Sequence, residues 1–367
     1  MRTAEVDWGR VRRVLVVRLR SIGDTVLSTP SLIALRRFLP DADIDILLED
    51  WVAPVLDGFE IAGRVVTGRD GFFSRLETAR EIRRRKYDVV FNLHGGTTAT
   101  FFAAASGAGH LVGYKNYQYS FLYNHLLSSP KDFWKRDKAH SAEQQLALLG
   151  FVGVPVDDLP KSSLAVSAKA LAAAERKFHD QEGKQLDEVG QFVLFHPAAA
   201  FDTKEWAVEN FARTAEFLSA NGLATIAIAT ERERRVLEAL RTQSRVPIHT
   251  FANFTLPEIA ALSSRARLFV GNDSGIAHIA AAVGTPSVVI FGSSNRDHWR
   301  PWTDAPNEIV FEKFRCQPCP GFECNEFGEP RCIHNVKVES VTAAIARVLD
   351  KKRADPVARS KVSFSKR

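Results

Sequence analysis

The chain contains no run of about 18 apolar residues, the length a membrane-spanning helix needs, so no transmembrane segment is expected. No apolar stretch follows Met1-Arg2-Thr3-Ala4-Glu5-Val6-Asp7, so no secretory leader is expected and the cytoplasm is the default compartment. No G-x-G-x-x-G follows the first apolar run, so a dinucleotide fingerprint has no support. No nucleic-acid module accompanies the basic residues, which ranks nucleic acid low as a partner. Cysteine is absent except in one loop, which holds all four: Cys316, Cys319, Cys324 and Cys332. Their spacing differs from a paired C-x2-C motif. Four thiolates on a structural zinc is one reading; buried thiols or a disulfide pair is the other.

The composition that is present, 45% hydrophobic and 25% charged residues, is that of a globular protein. A length of 367 residues exceeds one ordinary core and suits two domains. The net charge is +6. Basic clusters stand at Arg10, Arg12, Arg13, Arg18 and Arg20, at Arg80 to Lys86, and in the tail from Lys351. Such charge suits an anionic membrane face or an acidic substrate; the plain alternative is a solvated helix face and a frayed tail.

Strands and helices alternate along the chain. Apolar runs at 14–17, 44–48 and 88–93 read as strands, separated by helices over about 24–39 and 77–86 and followed by helices over about 97–106 and 141–149. Residues 150–165, with Gly150, Gly153, Pro155 and Pro160, read as a linker. The alternation restarts with a helix at 168–181 and strands at 192–195, 225–229, 267–270 and 287–291, with helices over 208–220, 232–242 and 256–263 between them. Repeated βα units predict a parallel sheet in each half, hence an α/β fold with a cleft between two halves. The expected domains are 1–165 and 166–338, then a helix at 339–350 and a basic, disordered tail at 351–367. In open parallel sheets ligands sit beyond the carboxyl ends of the strands, where Asp24 and Asp273 both fall.

Gly271-Asn272-Asp273-Ser274-Gly275-Ile276-Ala277-His278 is the most informative stretch. It joins a buried strand to a small-residue helix through a tight turn. Free N–H groups at that helix start point at a phosphate, Asp273 and Ser274 are capping types, and Gly275 lets a ligand approach the backbone. The plain alternative is a capped helix. In Arg18-Leu19-Arg20-Ser21-Ile22-Gly23-Asp24, Gly23 frees the turn and Asp24 opens a helix. There Asp24 either complements the dipole or removes a proton from a hydroxyl nucleophile. Lys204, in Lys204-Glu205-Trp206, is suited to offset leaving-group charge or is one more surface lysine. Glu231, rivalled by Glu233, follows a strand where an acid often binds ribose hydroxyls; both also suit the first turn of a helix.

Taken in order, these residues resemble the ADP-heptose:lipopolysaccharide heptosyltransferases, glycosyltransferase family 9. The resemblance is carried by Arg-x-x-x-Ile-Gly-Asp-x5-Pro near the N-terminus, Lys204-x-Trp206, and Asp273-Ser274-Gly275-x2-His278-x-Ala280-Ala281-x2-Gly284-x-Pro286 through Phe291-Gly292. Ala105-x-Gly107-x5-Gly113-Tyr114 and the Cys loop add to it, over about residues 12–350. It implies a GT-B fold of two Rossmann-like domains, with acceptor in the N-terminal half and donor in the C-terminal half. The last helix would pack back onto the first domain.

The resemblance also implies inverting, metal-independent transfer from a nucleotide-heptose to the lipopolysaccharide inner core. Asp24 would be the general base, with Ser21 and Gly23 in its substrate loop. Lys204 would contact donor phosphates, Glu231 the ribose and Asp273 the heptose. Ser274 and Gly275 would offer N–H groups to phosphate, and His278 either shapes the site or packs in the core. The acceptor would be an anionic, lipid-linked saccharide met at the cytoplasmic face of the inner membrane. The chain departs from the pattern at Ala199 and Ala200 (hydroxyl residues are frequent there), at Ala207 (proline), and at Asn92 and His94 (acid and amide). The rival readings are another nucleotide-sugar transferase or epimerase on the same fold, and a non-catalytic sugar-nucleotide-binding protein.

Overall fold

Val14 to Val17 are fully buried, as expected of a strand with helices on both faces of its sheet. This strand, β1 (Arg13–Val17), is joined by β2 (Asp43–Glu49), β3 (Gly63–Thr67), β4 (Val89–Asn92), β5 (His110–Tyr114) and β6 (His125–Leu127). All pair in parallel, in the order β3-β2-β1-β4-β5-β6. The second sheet holds β7 (Phe192–His196), β8 (Ala224–Ile228), β9 (Ile248–Phe251), β10 (Leu268–Asn272), β11 (Ser287–Phe291) and β12 (Asn307–Phe311). Its order is β12-β11-β10-β7-β8-β9, again all parallel. Each sheet therefore repeats one topology: its first strand pairs with its second and its fourth. The connections run outward in opposite directions from that first–fourth pair, which makes it the topological switch point, where a crevice opens beyond the strand ends.

The computed structural model describes residues 5–69, 71–319 and 322–354. The chain divides into two units. One comprises the chain up to Ala173 with Thr255–Ala261 and Asp297–Thr303; the other comprises Ala174–Phe254, Leu262–Arg296 and the chain from Asp304. The first core is built on Leu15, Val17, Leu47, Ile82, Val90 and Phe102, and the second on Val193, Phe195, Trp206, Phe211, Val270 and Ile290.

Three expectations need correction. The helix expected over 24–39 is two, Ile22–Val26 and Thr29–Phe38, because Pro30 in the first turn of the second has no N–H to continue the first. The boundary expected at 165 falls at Ala173, inside the helix Ala168–Glu182. The helix expected at 339–350 to pack back onto the first domain runs Val338–Ala354 and joins the second core: Val338, Val341, Ala344, Ile345 and Val348 are buried there. An apolar stripe is satisfied by the nearest sheet face, here that of β11 and β12. Lys351 belongs to this helix and reaches Glu308 at 3.4 Å; the tail expected to be disordered otherwise lies, from residue 355, outside the described residues.

Candidate active site

The first unit gathers its polar groups at the β1/β4 switch point. Arg18 follows β1 directly and is buried; its Nη1 donates to the Leu93 carbonyl at the end of β4, and its Nη2 is ion-paired with Asp24 Oδ1. Asp24 lies in the short helix Ile22–Val26, and its other oxygen accepts from the Ser21 hydroxyl (3.1 Å) and amide (3.4 Å). Ser21, at the N-cap of that helix, thus fixes one carboxylate oxygen while Arg18 holds the other. Gly23 is buried in the same turn.

Asn92 ends β4 and knots the facing loop. Its Oδ1 accepts from the amides of His94 (3.0 Å) and Gly95 (2.9 Å), and its Nδ2 donates to the Tyr123 hydroxyl (2.6 Å). Burial first, and then the Arg18 charge, push the His94 imidazole down to about 4, so it is neutral at pH 7. His298 belongs to the same unit, is also lowered by burial, and feels Asp24 and Arg18.

The second unit builds its group at the equivalent point, β7/β10. Trp206, fully buried, donates its indole N–H to the Val336 carbonyl (2.8 Å), and its amide donates to Asn272 Oδ1 (3.1 Å) at the end of β10. Fixing Trp206 fixes the turn Asp202–Lys204 two residues earlier. That turn lies against Gly292, where a Cβ would stand 2.1 Å from the Thr203 carbonyl oxygen, so only glycine permits this approach. Gly271 is likewise required, since a Cβ there would meet the His196 carbonyl oxygen at 2.9 Å. The outcome is an ion pair between Lys204 Nζ and Asp273 Oδ2 at 2.9 Å.

Ser274 occupies the N-cap of the helix Gly275–Ala282, yet its side chain makes no capping bond; its hydroxyl meets His196 Nδ1 at 3.2 Å instead. Capping by the Ser274 hydroxyl is therefore not realised, because the buried imidazole attracts it. The first-turn amides keep the polarity that attracts an anion. His278 is buried one turn further along.

The structure thus joins Lys204, Asp273, Ser274 and Gly275 in one group. Glu231 stands apart from them, on the turn Glu231–Glu233 after β8, where it is exposed and holds Arg234 through two hydrogen bonds of 2.7 Å. Glu233 accepts from the Thr230 amide and hydroxyl, at 2.9 and 2.7 Å. The four cysteines line one cavity with Thr203 and Ser293. All four are free thiols, so the disulfide alternative is not realised. Burial, together with the other three sulfurs, pushes the Cys332 thiol up. Among the described residues no three His, Cys, Asp or Glu side chains are arranged to hold a metal ion.

Sequence reasoning passed over four partners. Arg18 had no role assigned, although its place at the end of β1 was a usable signal. His196 and Asn272 end β7 and β10, and only the pairing of those strands shows that they meet the Asp273 turn. Glu205, half-buried and raised by that burial, accepts from the Ala199 amide at 3.4 Å.

Residues 75–328 match the model of glycosyltransferase family 9 (heptosyltransferase). The chain belongs to this family. As a family 9 member it is a glycosyltransferase, and its two Rossmann-like units are those of the GT-B fold. It is 28% identical over 313 residues to lipopolysaccharide heptosyltransferase 3 of Escherichia coli, covering 80% of this chain and 86% of that one. The crystal structure of the family 9 glycosyltransferase from Veillonella parvula superposes with a TM-score of 0.79 at 20% identity, over 95% of this chain and 99% of the other. That of E. coli ADP-heptose lipopolysaccharide heptosyltransferase II gives 0.75 at 20% identity, over 93% and 99%. Among the described residues no helix is long and apolar enough to cross a membrane.

Proposed function

We propose that this family 9 member transfers a heptose from ADP-heptose to the inner core of lipopolysaccharide, with inversion, in one displacement. The observation that carries the reading is the Lys204–Asp273 pair beside the uncapped start of the helix Gly275–Ala282, at the switch point of the second sheet. A diphosphate there meets a fixed ammonium and polarised amides that need no reorganisation as charge develops on the leaving group. Asp273 then takes a donor sugar hydroxyl, and Glu231 exchanges its exposed arginine partner for the ribose.

Asp24 is the general base in this reading. Its carboxylate accepts the proton of the acceptor hydroxyl, the oxygen bonds to the anomeric carbon, and the bond from that carbon to the diphosphate breaks. The electron pair leaves with ADP, beside Lys204. No metal takes part in this step. Arg18 and Ser21 hold Asp24 in one orientation, which favours proton removal from one direction.

The acceptor is a lipid-linked, anionic saccharide, met at the inner face of the membrane. In support, the first unit exposes Phe73, Phe101, Tyr119, Phe121 and Leu122 on helices and turns that follow β3, β4 and β5. Aromatic side chains of this kind, in a chain of net charge +6, suit an anionic bilayer surface. Sedimentation with phosphatidylglycerol-containing vesicles, weakened by salt and by Phe121→Ser, is the expected result; retention indifferent to both rejects the contact.

Thermal unfolding with ADP, UDP, GDP, CMP and NAD in parallel tests the donor. Saturating ligand at a hundredfold its Kd stabilises by about 2.7 kcal/mol. Selective stabilisation by ADP is expected, followed by a product one heptose heavier. Selective stabilisation by UDP or GDP replaces the donor.

A further inference from the structure

The base reading leaves His94 and His298 without a function, although both share the unit and the charges of Asp24. His94 stands two residues past Asn92 at the β1/β4 switch point, where a doubly wound sheet opens toward ligand. Its backbone is pinned by Asn92, which is in turn held by Tyr123 and, through its carbonyl, by the Tyr117 hydroxyl at 3.1 Å. The His94 Nδ1 is buried with no hydrogen-bond partner. With the ring proton on Nε2, Nδ1 is a bare acceptor.

His298, in the same unit, also feels the charges of Asp24 and Arg18. Its Nδ1 lies 3.2 Å from the Ala139 carbonyl oxygen and 3.3 Å from Gln144 Nε2; in the tautomer that donates to Ala139, Nε2 is the acceptor. Arg18 Nε, in the same cluster, is also buried without a hydrogen-bond partner. Buried polar atoms are nearly always paired, and both of these, His94 Nδ1 and Arg18 Nε, belong to the cluster around Asp24.

We propose that His94 and His298 are acceptor-binding residues whose ring nitrogens take hydrogen bonds from sugar hydroxyls neighbouring the one that Asp24 deprotonates, and so set which hydroxyl is glycosylated. The chemistry selects a polyol. A bare imidazole nitrogen accepts from O–H and repels the lone pairs of a carboxylate or phosphate oxygen. Burial keeps both rings neutral at pH 7, so they add no charge beside Arg18 and Arg20. The inference rests on the Asp24 reading.

The test compares His94→Phe, which keeps a ring and removes the acceptor nitrogen, with His94→Gln, which restores an acceptor, and repeats the comparison at His298. The readouts are acceptor KM, donor KM, ADP affinity and the linkage of the product by NMR. Expected for His94→Phe is a rise of about tenfold or more in acceptor KM with mixed linkage, donor KM and ADP affinity staying within twofold; His94→Gln recovers most of the loss. Unchanged acceptor KM and a single linkage in both Phe variants overturn the proposal. So does an equal rise in donor and acceptor KM, which marks a structural role. If a Phe variant fails to fold, a His94→Gln variant identical to wild type in acceptor KM, set against a His94→Ala variant also identical, overturns it equally. Asp24→Asn separates the two readings. Retained turnover there rejects the base, while the acceptor KM of the His94 variants still decides the hydrogen bonds.

Discussion

Each unit sets an aspartate just past its switch-point strands and meets it with a cation, but the two pairs are built differently. Arg18 and Asp24 are six positions apart, on a strand end and the helix that follows; the side chain of Asp24 is 19% exposed, and neutral imidazoles stand near it. Lys204 and Asp273 are 69 positions apart, joined by the β7–β10 pairing and the Trp206–Asn272 bond, and the side chain of Asp273 is 6% exposed. In the proposed function the local pair orients the base, while the long-range pair, whose aspartate is buried more deeply, holds a turn together and keeps a cation beside the donor phosphates. In both units an asparagine closes the fourth strand: Asn92 binds the amides of His94 and Gly95, and Asn272 binds the Trp206 amide and donates to the Pro197 carbonyl at 2.7 Å. The same device serves two different turns.

The contrast breaks most sharply at Asp24. Asp24→Asn keeps the shape and loses the base, so turnover should fall by about a thousandfold while ADP affinity in calorimetry stays unchanged. Turnover near wild type would show that the first pair serves the fold alone.

Acid comes next. His94 titrates near 4 when folded and near 6.5 when unfolded, so below 6.5 the unfolded chain takes up the proton first. Stability is therefore level above pH 6.5, falls as pH drops toward about 4, and levels again once both states are protonated. The contribution of His94 amounts to about 3 kcal/mol across that window. Burial lowers His196 and His298 too, and both steepen the same slope. Denaturant unfolding of wild type and His94→Phe between pH 7 and 4 should show a shallower slope for the variant; parallel curves would remove the buried imidazole from the account.

Lys204→Ala should weaken ADP binding by about tenfold to a hundredfold, and leave Asp273 buried without its cation, costing about 2–3 kcal/mol of stability. Adding Asp273→Asn should return the stability and not the affinity. A double variant that regained both would mean that the pair serves the fold alone.

The smallest effect is expected at Glu231. Its arginine partner is exposed, so Glu231→Ala should leave the melting temperature unchanged. ADP affinity should fall by about threefold to tenfold, and the loss should vanish when a 2′,3′-dideoxy analogue replaces ADP. Equal losses with both nucleotides would take Glu231 off the ribose.

The interior strands were legible because burial on both faces writes them as continuous apolar runs: Val14-Leu15-Val16-Val17 and Ser287-Val288-Val289-Ile290-Phe291 emerge as β1 and β11. The strands missed are mostly outer ones. β3, β6, β9 and β12 close the edges of the two sheets, are short, and carry polar residues such as Arg64, His125, His249 and Asn307 that interrupt the apolar pattern. β5 lies inside its sheet but opens with His110 and includes Gly113, which breaks the apolar pattern. Within the site, Asp24, Lys204 and Asp273 were legible from residue type and from their place after strands. Their partners were not. That Arg18 spans from Leu93 to Asp24, or that His196 takes the Ser274 hydroxyl, depends on which strands lie side by side.

The sequence by itself determined two α/β units, the strand-to-helix turns that carry the aspartates, and the family to which the chain belongs. Those follow from local propensity, apolar periodicity and motif spacing, which are properties of neighbouring residues. Only the tertiary structure decided that the last helix completes the second core, that Ser274 turns to His196 rather than capping its helix, and that His94 and His298 come within the charge of a clamped Asp24. Each of these depends on burial and on partners far away in the chain, because an apolar stripe, a hydroxyl or an imidazole takes the environment that folding brings to it.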